Sequence, residues 1–477
     1  MAWPPDIASS PRGSAGVLLR QVPRLLPLLL ILPICAGLAG TIAPAFNLGA
    51  TGGPDLAAFR ALFDQPGTLT SLKLSMTTGL ATTLVSLTLA LLIPAALMGT
   101  RAFARIRSLL SPLLALPHAA AALGLAFLVA PSGWVARAIS PWATGWTTPP
   151  DLLILNDAFG LSLTFGLVAK ELPFLLLMTL AALPQTDPTR RLPLAATLGY
   201  GRVASFLYTV APPLYRQLRL PTYAVLAYAM TTVDMAAILG PTSPPTLALA
   251  ITKWMTDPSL SRQTLAAAAA LVQLAAVAIA VILWRIAEAL AAMALRTAAF
   301  QGLRLTRLDA LTSLIRLITA VLTLSLITGI AALALWSVAG LWPFPNVLPE
   351  TFNLTTWTTT APLAQTTKAT LIIALSANMI ALVLTIASLQ AEQAFALAPP
   401  PAMVLYLPLI LPQICFLPGV TVLLLRLNAQ SSLMSVTLAH LLFVLPYVHL
   451  SLAAPFRAWD NRVATSAATL GASPARE

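Results

Sequence analysis

Three charged residues lie inside apolar stretches. Lys170 and Glu171 fall within 161–183, and Asp234 falls within 222–240. A charge at the centre of a bilayer costs roughly 2.5–3.5 kcal/mol on insertion scales, so each must face protein or water. They could line or gate a polar pathway, or form buried pairs that fix helix packing. Adjacent residues on a helix do not face each other, so Lys170 and Glu171 are expected to have different partners. Other reactive residue types offer less. Cys35 and Cys415 lie in apolar stretches and support neither a disulfide framework nor a metal site. His118, His440 and His449 lie in apolar stretches without paired metal-ligand spacing, and each reads as a packed or hydrogen-bonded helix residue. A membrane-embedded enzyme would need His, Asp or Ser clustered near one membrane face. The sequence presents no such cluster, so the chain reads as a non-enzyme without a cofactor.

The composition says what must hold these charges. Of 477 residues, 58% are hydrophobic and 9% charged, and the mean hydropathy is +0.86. A soluble domain carries roughly 25% charged residues. So few charges cannot cover a water-facing surface, and lipid must be the solvent. Ten stretches approach the ~20 residues a helix needs to cross the hydrocarbon core. They are 25–45, 75–98, 109–130, 161–183, 222–240, 264–284, 317–339, 369–389, 403–425 and 434–455. Their apolar runs are continuous, without the alternation of a barrel strand, which predicts helices. Many of the 40 prolines fall at segment ends or between segments.

Lysine and arginine set the expected orientation. With the N-terminus inside, 19 of the 27 fall on the cytoplasmic side, seven on the far side, and Lys170 within a segment. By the positive-inside rule the N-terminus, the 285–316 stretch and the C-terminus are cytoplasmic. The net charge of +12 is spread over five loops, with no basic run or aromatic-interleaved groove, so no nucleic-acid partner is expected. Arg20 and Arg24 before an apolar run, with Ala-Pro-Ala at 43–45, resemble a signal peptide. Nine further segments favour a retained first helix behind a cytoplasmic tail at 1–24.

Short motifs recur in order. Lys73 and Lys368 are 295 residues apart, as are Pro117 and Pro412. Leu-Pro-Phe at 172–174 and Leu-Pro-Tyr at 445–447 are 273 apart, and Gly199 and Gly471 are 272 apart. One external loop explains the drop, being long at 131–160 and nearly lost at 426–433. The chain thus reads as two parallel repeats. The first, 25–290, has six segments; a linker at 291–316 leads to the second, 317–477, with four.

The loop after the fourth segment reads TDPTRRLPLAATLGYGRVASFLYTVAPPL (186–214), and the chain closes on ATSAATLGASPARE (464–477). Asp187 is placed to cap a helix with Pro188 at its first position, and Pro193 would cost that helix a hydrogen bond. Gly199 suits a left-handed helix end leading into a second helix. This loop resembles the cytoplasmic loop of ABC importer permeases: Glu-Ala-Ala, three residues, Gly, nine residues, Ile, one residue, Leu-Pro. Ala195, Gly199 and Pro212 match; Pro193, Leu194, Thr209 and Ala211 depart. Ala467 and Gly471 match in the second copy, with Thr465 and Ser466 departing. The resemblance implies an all-α polytopic fold of the type I importer class, with about ten transmembrane helices present and twelve in a complete chain. It implies that these residues form coupling helices docked on two ATPase subunits, and that a periplasmic binding protein delivers the cargo. The stretches KELPFLLLM and VDMAAILGPTSPPTLA look closest to the iron(III)/thiamine class, which implies a thiamine-like, iron(III) or other small solute. No GxxxxGK[ST] loop occurs, so ATP is expected on the partner. Only six residues follow Gly471 where 85 and two segments follow Gly199 up to Trp284, so the intact product is expected to continue for roughly eighty to ninety residues. An ion-coupled secondary transporter is the alternative; it would carry more intramembrane carboxylates and no docking loop.

Overall fold

The computed structural model describes residues 14–48, 53–360, 362–426, 428, 432–458 and 469. Among them there is no β-strand. The helices used below are α1 (Ser14–Ala45), α2 (Thr68–Leu97), α3 (Arg101–Ala115), α4 (His118–Val129), α5 (Leu161–Ala182), α6 (Pro188–Thr197), α7 (Arg202–Ser205), α8 (Ala211–Thr231), α9 (Asp234–Leu239), α10 (Leu247–Met255), α11 (Leu260–Phe300), α12 (Thr312–Ser337), α13 (Leu363–Ala394), α14 (Ala402–Ile410), α15 (Gln413–Arg426) and α16 (Leu433–Arg457). Eight helices among the described residues are long and apolar enough to cross a membrane, and up to nine if the broken pair α14 and α15 counts as one span. The chain is an all-α, multi-pass membrane protein. Outward-facing Leu32, Ile282, Leu317 and Leu375 are exposed, which suits lipid rather than water.

Proline decides where apolar stretches must break. It lacks the N–H for the i−4 carbonyl and pushes the preceding residue to extended backbone. Leu116 is accordingly extended (φ −66°, ψ 128°), so the 109–130 stretch becomes α3 and α4. The 403–425 stretch breaks at the same offset: α14 ends at Ile410 and α15 begins at Gln413, 295 residues after the end of α3 and the start of α4. The fifth expected segment is also divided. Its helix α8 starts early, at Ala211, and its first half carries Tyr215, Arg216, Gln217 and Arg219. It ends at Thr231, and Thr232 is extended before α9.

The described residues fall into two compact bodies, one made of the described parts of Met1–Gly37, Pro362–Leu409 and Val420–Glu477, the other of Leu38–Ala361 and Ile410–Gly419. In the larger body α2 packs on α5 and α8, and α12 on α4. Ala90, Ile93 and Leu97 of α2 join Leu172, Leu175 and Leu176 of α5 and Leu214, Leu226 and Met230 of α8 in one apolar core. Gly124 and Gly329 bring α4 and α12 together: a Cβ added to Gly124 would lie 2.7 Å from the Gly329 carbonyl carbon. Small residues permit this close approach where lipid, not water, competes for the helix surface. Buried threonines return their hydroxyls to the helix, as Thr83 does to Gly79 O at 2.8 Å and Thr179 to Leu175 O at 2.7 Å.

In the smaller body α13 packs on α16. The seam is the counterpart of α2 on α5, with a different chemistry. Ala90, Ile93 and Leu97 are matched, 295 residues on, by Thr385, Ser388 and Glu392; Leu176 is matched, 273 on, by His449. All four replacements are buried. Arg457 closes one end of the seam with two bonds to Glu392 Oε2, at 2.8 and 3.1 Å.

Candidate functional site

The loop after α5 carries three prolines, Pro184, Pro188 and Pro193, and a run of small residues from Ala195 to Gly201 interrupted by Leu198 and Tyr200. Asp187 precedes α6 as expected, but its carboxylate caps no backbone N–H; it accepts instead from the Thr189 hydroxyl at 3.2 Å. The reason is local: Asp187 adopts φ 49° and ψ 57°, whereas side-chain capping uses the extended region. Pro193 is accommodated inside α6. At the other end Gly199 takes φ +82°, its N–H reaching Ala196 O at 2.9 Å and the Tyr200 N–H reaching Ala195 O at 3.4 Å. That is a Schellman ending, which glycine adopts without a Cβ penalty. Ala195 is buried beneath the helix, while Leu194 and Leu198, one turn apart, are 64% and 63% exposed.

The chain then turns back through α7 and a π-helical turn, Phe206–Val210, into α8. Pro212 and Pro213 open α8 and supply no N–H to the preceding turn. The Thr209 carbonyl, four residues before Pro213, instead accepts from Arg191 Nη1 of α6 at 2.9 Å. Pro212 thus stands where the loop re-enters the helix bundle.

The linker braces this loop. Asp309 accepts the N–H groups of Arg202 at 3.1 Å and Val203 at 2.8 Å, capping α7 from 107 and 106 residues away. Gly201 leaves room for it, since a Cβ there would lie 2.1 Å from Asp309 Oδ2. Tyr208 donates to Leu303 O at 2.9 Å. Burial, then the neighbouring Tyr200, raises its phenol above the ordinary value, so it stays a donor near neutral pH. The Arg202 guanidinium donates to Ala95 O at 3.1 Å and to Met98 O, at the carbonyl end of α2. Linker, loop and core helix are thereby joined. Sequence reasoning missed Asp309; the available signal was a lone acid among the arginines of 291–316.

Glu288 ties the start of α8 to the end of α11. Its Oε1 accepts from the Tyr215 and Tyr223 hydroxyls at 2.6 and 2.9 Å, and its Oε2 accepts from Arg285 Nη1 at 3.3 Å. Arg219 Nε lies 3.1 Å from Oε2 as an ion pair, without hydrogen-bond geometry. Burial and the bond to Glu288 hold the Tyr215 phenol well above its usual range.

Lys170 and Glu171 have different partners, as their adjacency requires. Lys170 donates to Leu113 O at 3.0 Å and Leu114 O at 3.2 Å, in the last turn of α3. Glu171 Oε1 accepts from His118 Nε2 at 3.2 Å, at the first residue of α4. The cation meets the carbonyl end of one helix and the anion the amino end of the next, as the helix dipoles favour. The pair therefore braces the Leu116–Pro117 break. Asp234 is exposed at the start of α9, accepting from the Thr232 hydroxyl at 2.9 Å. A chain of contacts joins it to Glu171: Thr232 Oγ1 to Tyr228 Oη at 3.4 Å, and the Tyr228 ring to His118 with centroids 4.8 Å apart. Ala467 and Gly471 lie outside the described residues.

Fold and contacts define a multi-pass helical protein with a braced loop after its fourth apolar stretch. Over 257 residues the chain is 29% identical to the inner membrane ABC transporter permease protein YnjC of Escherichia coli strain K12, covering 53% of this chain and 47% of that protein. The match spans about half the length of that curated relative. No family model matches the chain, and no solved structure matches it.

Proposed function

We propose that the chain is a permease subunit of an ABC importer, working with two ATPase subunits and a periplasmic binding protein in a bacterial inner membrane. The likeness to YnjC supports the permease reading. The observation that carries the coupling role is the exposed Leu194 and Leu198 face of α6, a helix ended by Gly199 and followed by α7, which Arg202 braces to α2. An apolar face on an otherwise basic loop is suited to a partner's groove. Ala195, Gly199 and Pro212 set the shape of that helix pair, and Ala467 and Gly471 are assigned the same task in the second copy. ATP is bound by the partner. Lys170 and Glu171 act as pairing residues at the α3–α4 break, and Asp234 faces the pathway. The importer direction, the cytoplasmic N-terminus and a thiamine-like, iron(III) or other small solute follow from the loop resemblance and the Lys/Arg distribution.

Co-purification tests this reading. The chain extracted in mild detergent should bring down an ATPase subunit in a stoichiometric complex, with solute uptake dependent on ATP. Uptake driven by an ion gradient, with no ATPase bound, would instead establish a secondary transporter.

A further inference from the structure

We propose that a cleft between the amino end of α2 and α10 binds a small oxyanion of the phosphate or carboxylate class. The cleft is about 160 Å³ and is lined from two stretches, 66–71 and 244–254. That is well above the ~10–15 Å³ needed to hold one water, and leaves space for one such group. Its polar lining donates. Lys253 is exposed and makes no ion pair among the described residues, and Trp254 beside it carries an indole N–H. Ser71 is 3% exposed, yet its hydroxyl makes no hydrogen bond among the described residues. Farther along α2, Thr78 and Thr83 return theirs to Leu74 O and Gly79 O, each at 2.8 Å. Ser71 thus lines the cleft with its hydroxyl free to donate.

The field has one sign. α2 is 30 residues long, and its N-cap, Gly67, offers no side chain to the first N–H groups. The Thr68 N–H donates to Gln65 O at 3.3 Å and the Ser71 N–H to Gly67 O at 2.8 Å, and the helix dipole favours an anion at this end. No carboxylate lines the cleft among the described residues. The walls are tied in place: the Leu247 N–H donates to Ser75 Oγ at 3.0 Å, and Thr68 donates to Leu62 O at 2.8 Å. An ammonium, a serine hydroxyl and a helix amino end around one concave space favour an anion over a cation. The inference is independent of the transporter reading.

The test uses the full chain in dodecyl maltoside, which carries no phosphate. Inorganic phosphate and, separately, acetate are titrated against chloride at matched ionic strength, reading tryptophan fluorescence and melting temperature. At least one oxyanion should give a saturable change that chloride does not. Lys253→Gln should weaken it about tenfold or more and Ser71→Ala several-fold, as expected for losing charge-assisted and neutral hydrogen bonds. Arg60→Gln, exposed and outside the cleft, should leave it unchanged. If phosphate binding seen in detergent disappears in phospholipid nanodiscs, a lipid headgroup is the source; if it persists, a free anion is. Absence of saturable binding by either anion, or equal weakening by Lys253→Gln and Arg60→Gln, would overturn the proposal.

Discussion

Gly199→Leu is expected to abolish ATP-driven uptake, by at least about tenfold, while leaving the amount of protein in the membrane within about twofold. Gly199 holds φ +82°, and an added Cβ would sit 3.2 Å from the Arg304 guanidinium carbon. A side chain in the left-handed region costs about 1–2 kcal/mol, which α6 can relieve by opening its last turn. The Schellman bonds from Gly199 and Tyr200 would then be lost, and the Leu194–Leu198 face would lose its aim. Gly199 itself lies outside the apolar core that Val203, Phe206 and Val210 of the same loop join, so folding of the bundle should survive. Gly199→Asn should retain more uptake, because asparagine tolerates the left-handed region. Normal uptake by Gly199→Leu would remove this loop from the mechanism.

Lys170→Met should act on stability. The ammonium is the cap for two carbonyls in the final turn of α3, where no helix partner exists. Methionine fills similar space and leaves Leu113 O and Leu114 O facing an apolar side chain. A buried polar group left without its partner costs about 1–3 kcal/mol. One kcal/mol shifts a body of 150–250 residues by roughly 2–4 °C and a larger one by less, so the melting temperature in detergent should fall by a few degrees. Glu171→Gln should do less, since the amide oxygen still accepts from His118. A Lys170→Met protein as stable as the parent would show that the α3–α4 break is held by other contacts.

Much of this was legible because one signal, apolar length, dominates in lipid. Seven of the ten stretches coincide with continuous helices of crossing length; 109–130, 222–240 and 403–425 are each divided. The different partners of Lys170 and Glu171 were legible from helix geometry; which partners they are was not, because Leu113 and His118 lie 57 and 53 residues away from them. Pro117 and Pro412 were readable as markers of a repeat, yet their larger effect is to break a segment in each copy. The division of the fifth stretch was harder to see, since Thr232 carries no proline or glycine signal and α8 starts in polar sequence. Asp187 was read by residue type as a cap, but its left-handed backbone redirects the carboxylate. Asp309 stood out only as a lone acid, and its role was hidden by distance: its partners are in a loop more than a hundred residues earlier. The polar seam of Thr385, Ser388, Glu392 and His449 emerges only when the 295- and 273-residue offsets are applied to the helix pairs.

Photo-crosslinking from α6 tests the central claim most directly. A benzophenone side chain is placed at Leu194 or at Leu198, and for comparison at Leu153, which is 74% exposed in the loop between α4 and α5. In membranes competent for ATP-driven uptake, the first two should crosslink to an ATPase subunit and the third should not. A transporting assembly in which neither Leu194 nor Leu198 reaches an ATPase subunit, or in which Leu153 does, would contradict the account.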